Sequence, residues 1–261
     1  MSSLPTIFLS HGSPMLALQD SPARRFLQGL GRSLPRPQAI VVVSAHWETR
    51  GGPALSLQQR PETIHDFGGF PRALFDIQYP APGAPDAARR AAALFESAGM
   101  PFGLSDTRGL DHGAWVPLSL MYPEADIPVT QLSVVRDASP ADHERMGLAL
   151  AALRREGVLV VGSGSLTHNL YEFRGQAVDA PVPGWVSGFE SWMKARLEAS
   201  DRAALLDYRR SAPHAEKNHP TEEHLLPLFV ALGAAGPDAQ ARLLHASVEH
   251  GVLAMDAYAF E

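Results

Sequence analysis

At 261 residues, with 45% apolar and 19% charged side chains, the chain has the length and composition of one folded domain with a sizeable core, and a disordered segment is excluded. A net charge of −6 without any Lys/Arg cluster excludes the electrostatic footprint of a nucleic-acid or anionic-membrane partner, and no apolar run is long enough to span a bilayer. There is no cysteine, so disulfides, thiol nucleophiles, zinc fingers and iron–sulfur clusters are excluded, and any metal must be held by nitrogen and oxygen.

In chain order, Met1-Ser2-Ser3 leads almost directly into a short apolar strand at residues 6–10, with no basic leader, and a cytoplasmic protein is expected. That strand empties into His11-Gly12-Ser13-Pro14, and Ser21-Pro22 then opens a helix to Leu30. Within residues 39–48, Ile40, Val41, Val42 and Val43 are consecutive and β-branched, the composition of a parallel-sheet strand buried on both faces, and His46 sits where it ends. Strand, helix, strand suggests a βαβ unit. A Gly- and aromatic-rich loop with Asp66, Phe67 and Phe70 follows, around a short strand at residues 54–57. Such loops form either active-site walls or surface excursions.

A helix is expected over residues 86–98, and Asp111-His112 then stands in a Gly-bounded loop as a positioned polar pair, ahead of an apolar segment to Tyr122. Residues 129–135 read as a strand, and Ser139-Pro140 opens a helix to about Arg155 with Asp142 as its capping acid. Residues 158–161 form a third buried strand, which empties into Gly162-Ser163-Gly164-Ser165-Leu166-Thr167-His168-Asn169. Residues 183–199 are helical, with Trp185, Phe189 and Trp192 on a core face. His219-Pro220 opens another helix to Gly233, and residues 243–248 and 252–260 close the chain as antiparallel strands around Glu249-His250-Gly251. The fold expected is a single α/β domain over residues 1–261, a central, largely parallel (mixed) sheet flanked by helices.

Ligands in open α/β sheets bind beyond the carboxyl ends of the strands, and three of the eleven histidines, His11, His46 and His168, lie directly beyond such ends. A histidine or glutamate from residues 219–224 would complete a site of imidazole and carboxylate suited to catalytic Fe(II) or Zn²⁺. His65, His143, His214, His245 and His250 have less context and read as structural or solvated. The Gly-Ser-Gly-Ser run matches neither a nucleophile elbow nor a dinucleotide fingerprint. A serine hydrolase using Ser163 or Ser165 with His168 would leave the other histidines without a role.

The stretches Leu9-Ser10-His11-Gly12-Ser13-Pro14, Ser44-Ala45-His46-Trp47-Glu48, Asp66-Phe67-Gly68-Gly69-Phe70-Pro71, Leu110-Asp111-His112-Gly113-Ala114-Trp115, residues 162–169 and Pro220-Thr221-Glu222-Glu223-His224 together resemble the ordered motif set of the DODA-type extradiol ring-opening dioxygenases, the class III or LigB-like superfamily. The resemblance implies a non-haem metal that takes a catechol, DOPA- or caffeate-like, together with O₂. It implies His11, His46 and His224 as metal ligands, His168 as either a fourth ligand or the acid/base, and His112 as a hydrogen-bonding or proton-transfer partner. Phe70, Trp115 and Glu223 would contact substrate. The third ligand stays open between His224, His219 and a glutamate, and Fe(II) is expected for activity, with Zn²⁺ plausible in purified protein. A zinc-dependent hydrolase and a non-enzymatic binding protein are the alternatives on this fold, and a homodimer is the base-rate expectation.

Overall fold

The computed structural model describes residues 3–261. Among these residues ten strands are formed: β1 (Thr6–Ser10), β2 (Ala39–Thr49), β3 (Ala54–Ser56), β4 (Gly103–Ser105), β5 (Val129–Val135), β6 (Val158–Gly164), β7 (Ala241–His245), β8 (Val248–Glu249), β9 (Leu253–Ala254) and β10 (Ala257–Phe260). Eight of them make one sheet in the order β4-β3-β5-β2-β6-β1-β10-β7, and β8 and β9 pair separately as a small hairpin. The centre, β5-β2-β6-β1, is parallel, whereas β3 on β5, β10 on β1 and β7 on β10 are antiparallel. The β1 and β2 strands of the expected βαβ unit are therefore not neighbours, because β6 lies between them. The consequence for function is favourable: the carboxyl ends of β2, β6 and β1 stand side by side.

Alternation along the buried strands explains why both faces are covered. Val41, Val43 and Val160 enter one apolar core with the helices at Pro85–Ser97, Pro140–Leu150, Gly184–Glu198 and Leu226–Ala235. Ile40, Val42 and Val161 enter the other, with the helices at Pro22–Ser33 and His112–Met121. The expected helix to residue 155 divides at Ala151 into a tighter 3-10 turn through Glu156. No helix of the described residues is long and apolar enough to cross a membrane.

Two differences from the sequence reading place the site. The first is in β2, which runs past His46 to Thr49. Its register against β5 jumps from Ser44↔Ser133 to Glu48↔Val134, so Ala45-His46-Trp47 form a bulge inside the strand. Bulges re-aim side chains beside functional sites, and this one presents His46. The second is the helix expected from His219, which begins instead at Leu226, leaving residues 219–225 as turns.

Those turns lie directly on β6, and this accounts for the Gly-Ser-Gly-Ser run. A Cβ on Gly164 would stand 2.0 Å from the His224 carbonyl oxygen, and one on Gly162 would stand 2.2 Å from that of Pro227. The close approach is fastened by Ser165 N donating to His224 O at 2.8 Å. Gly164→Ala is accordingly expected to cost about 1–3 kcal/mol or more, because backbone and not a flexible side chain must move. Thermal melts check the loss.

Candidate functional site

The bulge carrying His46 is pinned from beneath. Asp111, fully buried, caps the helix His112–Met121 through Ala114 N. It also accepts from Ser44 Oγ at 2.6 Å, from Gln131 Nε2 at 2.7 Å and from Arg108. Ser44 Oγ in turn accepts from His46 N at 3.2 Å, and Arg108 donates to His46 O at 3.2 Å. Asp111 thus shapes the backbone that presents His46, while its neighbour His112 faces the cavity.

Five histidine rings converge at the ends of β1, β2 and β6. Nitrogens of His11, His46 and His224 lie within 4.8 Å of one another. His112 packs on His46 with ring centroids 3.9 Å apart, and His168 stacks on His224 at 3.5 Å with the planes 7° apart. His168 lies outside the nitrogen trio and is grouped instead with Glu223 and His224.

Hydrogen bonds decide where the protons sit. Ser163 Oγ donates its one hydrogen to Gly113 O, so toward His11 Nδ1 at 3.0 Å it must accept, and His11 carries its proton on Nδ1. His224 Nδ1 donates to the Glu223 carboxylate at 2.9 Å. His46 Nδ1 faces Asp66 Oδ2 at 3.7 Å, which favours the same tautomer. The Nε2 lone pairs are what remain: those of His11 and His46 are 2.9 Å apart, and that of His224 is buried without a partner. A set of inward lone pairs, each ring fixed from behind by an oxygen, is complementary to a cation and costly without one.

Charge agrees with this. Burial, reinforced by the neighbouring imidazoles, holds His11 and His224 well below the ordinary histidine range. Burial likewise brings His46, His168 and His219 down to about 4. Burial pushes Asp66 up, but its hydrogen bonds and charge contact with His112 prevail and hold it at about 2. In the unfolded chain these histidines titrate near 6.5, so between pH 6.5 and 4 the unfolded state binds more protons and stability falls as pH falls. At about 1.4 kcal/mol per group per pH unit, melting temperature should drop by roughly 10 °C or more from pH 6.5 to 4.5, as read by metal-free thermal melts across that range.

The histidines floor a cavity of about 460 Å³ walled by Pro14, Met15, Phe70, Leu170, Phe173 and Leu253, with Gln19, Asp66 and His250 as polar members. A more open groove of about 820 Å³, lined by Arg24, Arg32, Arg36 and Asp126 among others, lies apart from every one of these histidines. Phe70, expected as a substrate contact, is among the residues that line the cavity. Trp115 is not: it is fully buried, donates Nε1 to Ile64 O at 3.0 Å, and packs on His65 and Phe67 behind the wall. Glu223 is likewise absent from the lining, its carboxylate being turned to His224 Nδ1. His219 is drawn into the core, with Nε2 on Leu166 O at 2.8 Å and its ring against Phe189, and Glu222 accepts from Tyr208 Oη at 2.8 Å, so of the open third-ligand set only the His224 ring joins the trio.

Asp66 and His250 are cavity residues to which the sequence assigns no role. Asp66 Oδ1 accepts from both the backbone N and the Nδ1 of His112 at 3.0 Å, which leaves His112 Nε2 as that ring's free nitrogen. An acid opening the Asp-Phe-Gly-Gly-Phe-Pro loop was the available signal. His250, read as structural or solvated, lines the cavity instead.

Comparisons with known proteins bear on this geometry. The model for the catalytic LigB subunit of aromatic ring-opening dioxygenase matches residues 5–261. The chain is 43% identical to a 4,5-DOPA dioxygenase extradiol of Beta vulgaris, covering 98% of this chain and 96% of that one. It is 44% identical to the Escherichia coli (strain K12) protein of the same name, covering 97% and 93%. The crystal structure of an uncharacterised Escherichia coli K12 protein superposes with a TM-score of 0.84 at 38% identity, covering 99% of this chain and all of the other.

Proposed function

The chain belongs to the LigB family of aromatic ring-opening dioxygenases, and from that premise we propose that it is an extradiol dioxygenase whose histidine cavity takes a small catechol, of the DOPA or caffeate type, and O₂. The observation that carries this reading is the trio of inward Nε2 lone pairs at the floor of a catechol-sized cavity. His11, His46 and His224 would hold the metal, with Fe(II) as the active ion and Zn²⁺ a competitor for the same nitrogens. When bound, Fe(II) supplies the Lewis acidity and the redox capacity that let a chelated diol and O₂ react side by side.

The chain's own residues supply the proton chemistry. His168 is neutral, and Glu223 beside it favours its protonated form, partly offsetting burial, so it can take a proton from a catechol hydroxyl. His112, held by Asp66 at Nδ1, directs Nε2 chemistry into the cavity, where it hydrogen-bonds an oxygen of the reacting pair or returns a proton to it. Phe70, Leu170, Phe173 and Leu253 exclude water and grip the ring faces.

Metal exchange tests the reading. Protein stripped of metal and reloaded anaerobically with Fe(II) is expected to form a yellow ring-opened product from catechols once O₂ is admitted, and the Zn²⁺ form none. Turnover by the Zn²⁺ form under argon would indicate hydrolysis instead and would overturn the assignment.

A further inference from the structure

His250 stands at the tip of the β8–β9 hairpin with φ of 55°, followed by Gly251 at 69°. A left-handed histidine is uncommon, and such conformations persist where surrounding contacts hold them, often around ligands. Here the tip is clamped. His250 N donates to Val178 O at 2.9 Å, and a Cβ on Gly251 would meet Pro181 O at 2.8 Å. The ring is fixed as well, since Nδ1 faces the Gln176 carbonyl at 2.8 Å and a carbonyl can only accept. The proton of the neutral ring therefore lies on Nδ1, and Nε2 is an acceptor with no hydrogen-bond partner among the described residues. The ring meets Phe173 edge-on at 5.2 Å, and both residues line the cavity.

The rest of the lining gives this acceptor its meaning. No Lys or Arg is among the lining residues, and the one carboxylate, Asp66, is negative. A catechol side chain ending in a carboxylate would be desolvated there with no cationic side chain to receive it, the metal of the catechol reading being taken up by the diol. One ending in an ammonium finds the Nε2 acceptor and the Phe173 ring beside it.

We propose, on the basis of the catechol reading above, that His250 is a specificity-determining residue whose Nε2 accepts a hydrogen bond from the ammonium of an aminoalkyl catechol. The cavity thereby selects such substrates over catechols that end only in a carboxylate.

Anaerobic titration of the Fe(II)-loaded protein with dopamine, 4-ethylcatechol and dihydrocaffeate tests this without turnover. Dopamine should bind about tenfold tighter than 4-ethylcatechol, with dihydrocaffeate weakest. His250→Leu should erase the dopamine advantage. His250→Asn, which tolerates the left-handed backbone and keeps an oxygen acceptor, should retain part of it. Equal affinities, tighter dihydrocaffeate, or an advantage that survives in His250→Leu would overturn the assignment, and the wild-type series with His250→Asn decides it if the leucine variant does not fold. Admitting O₂ afterwards separates the two claims. Ring opening without the binding order overturns the role of His250 alone, whereas failure to open any of the three catechols overturns the catechol reading and this assignment with it.

Discussion

Replacing His46 with alanine is expected to remove metal binding and ring opening together while leaving the fold intact. Each part has a separate physical cause. Losing one of three converging nitrogens should weaken the metal by more than the roughly 10–100-fold that loss of an outer hydrogen-bond partner costs. The fold should survive because His46 sits in a bulge whose backbone is held by Ser44 and Arg108, and neither contact involves the imidazole. Removing one ring from a crowd of buried imidazoles even relieves the lone-pair opposition at His11 Nε2. Metal analysis of the purified variant beside its melting curve reads both parts. A variant that binds Fe(II) as the wild type does would remove His46 from the centre.

His168→Asn is expected to behave differently, lowering kcat by about 10²–10⁴-fold with metal content largely kept. His168 lies outside the trio of nitrogens within 4.8 Å, stacked on His224 with Glu223 at hand, which is a place for moving a proton to or from a catechol hydroxyl. Asparagine keeps the size and loses the base. Because the missing step is deprotonation of substrate, the variant should recover rate with more acidic catechols such as 4-nitrocatechol, measured as the ratio of kcat values to that for an unsubstituted catechol. Loss of the metal with the side chain would instead make His168 a ligand.

The histidines at strand ends were legible because strand composition and loop punctuation are local, and because open α/β sheets bring their carboxyl ends to one crevice. His11, His46 and His168 follow from that logic, and the ordered motifs supplied His112 and His224. What was not legible depends on contacts between distant segments. The register jump between Ser44 and Glu48 requires β5 as its reference. The purpose of Gly162 and Gly164 appears only when residues 224–227 are laid on them. Trp115 and Phe70 are both aromatic and near glycine, yet one faces the cavity and the other supports it from behind, a difference fixed by a hydrogen bond to Ile64 O. His250 is the clearest case: adjoining residues give no hint of a site, and only the Gln176 and Val178 carbonyls, more than seventy positions earlier, turn it inward.

O₂ consumption by the Fe(II)-loaded protein tests most directly whether the lone-pair trio holds a metal that opens catechols with O₂. With an oxygen electrode and a panel of catechols, O₂ and catechol should disappear in equal amounts as the ring-opened product accumulates, and His46→Ala should show neither. Catechol loss without O₂ uptake, or no uptake with any catechol while the protein still binds its metal tightly, would contradict it.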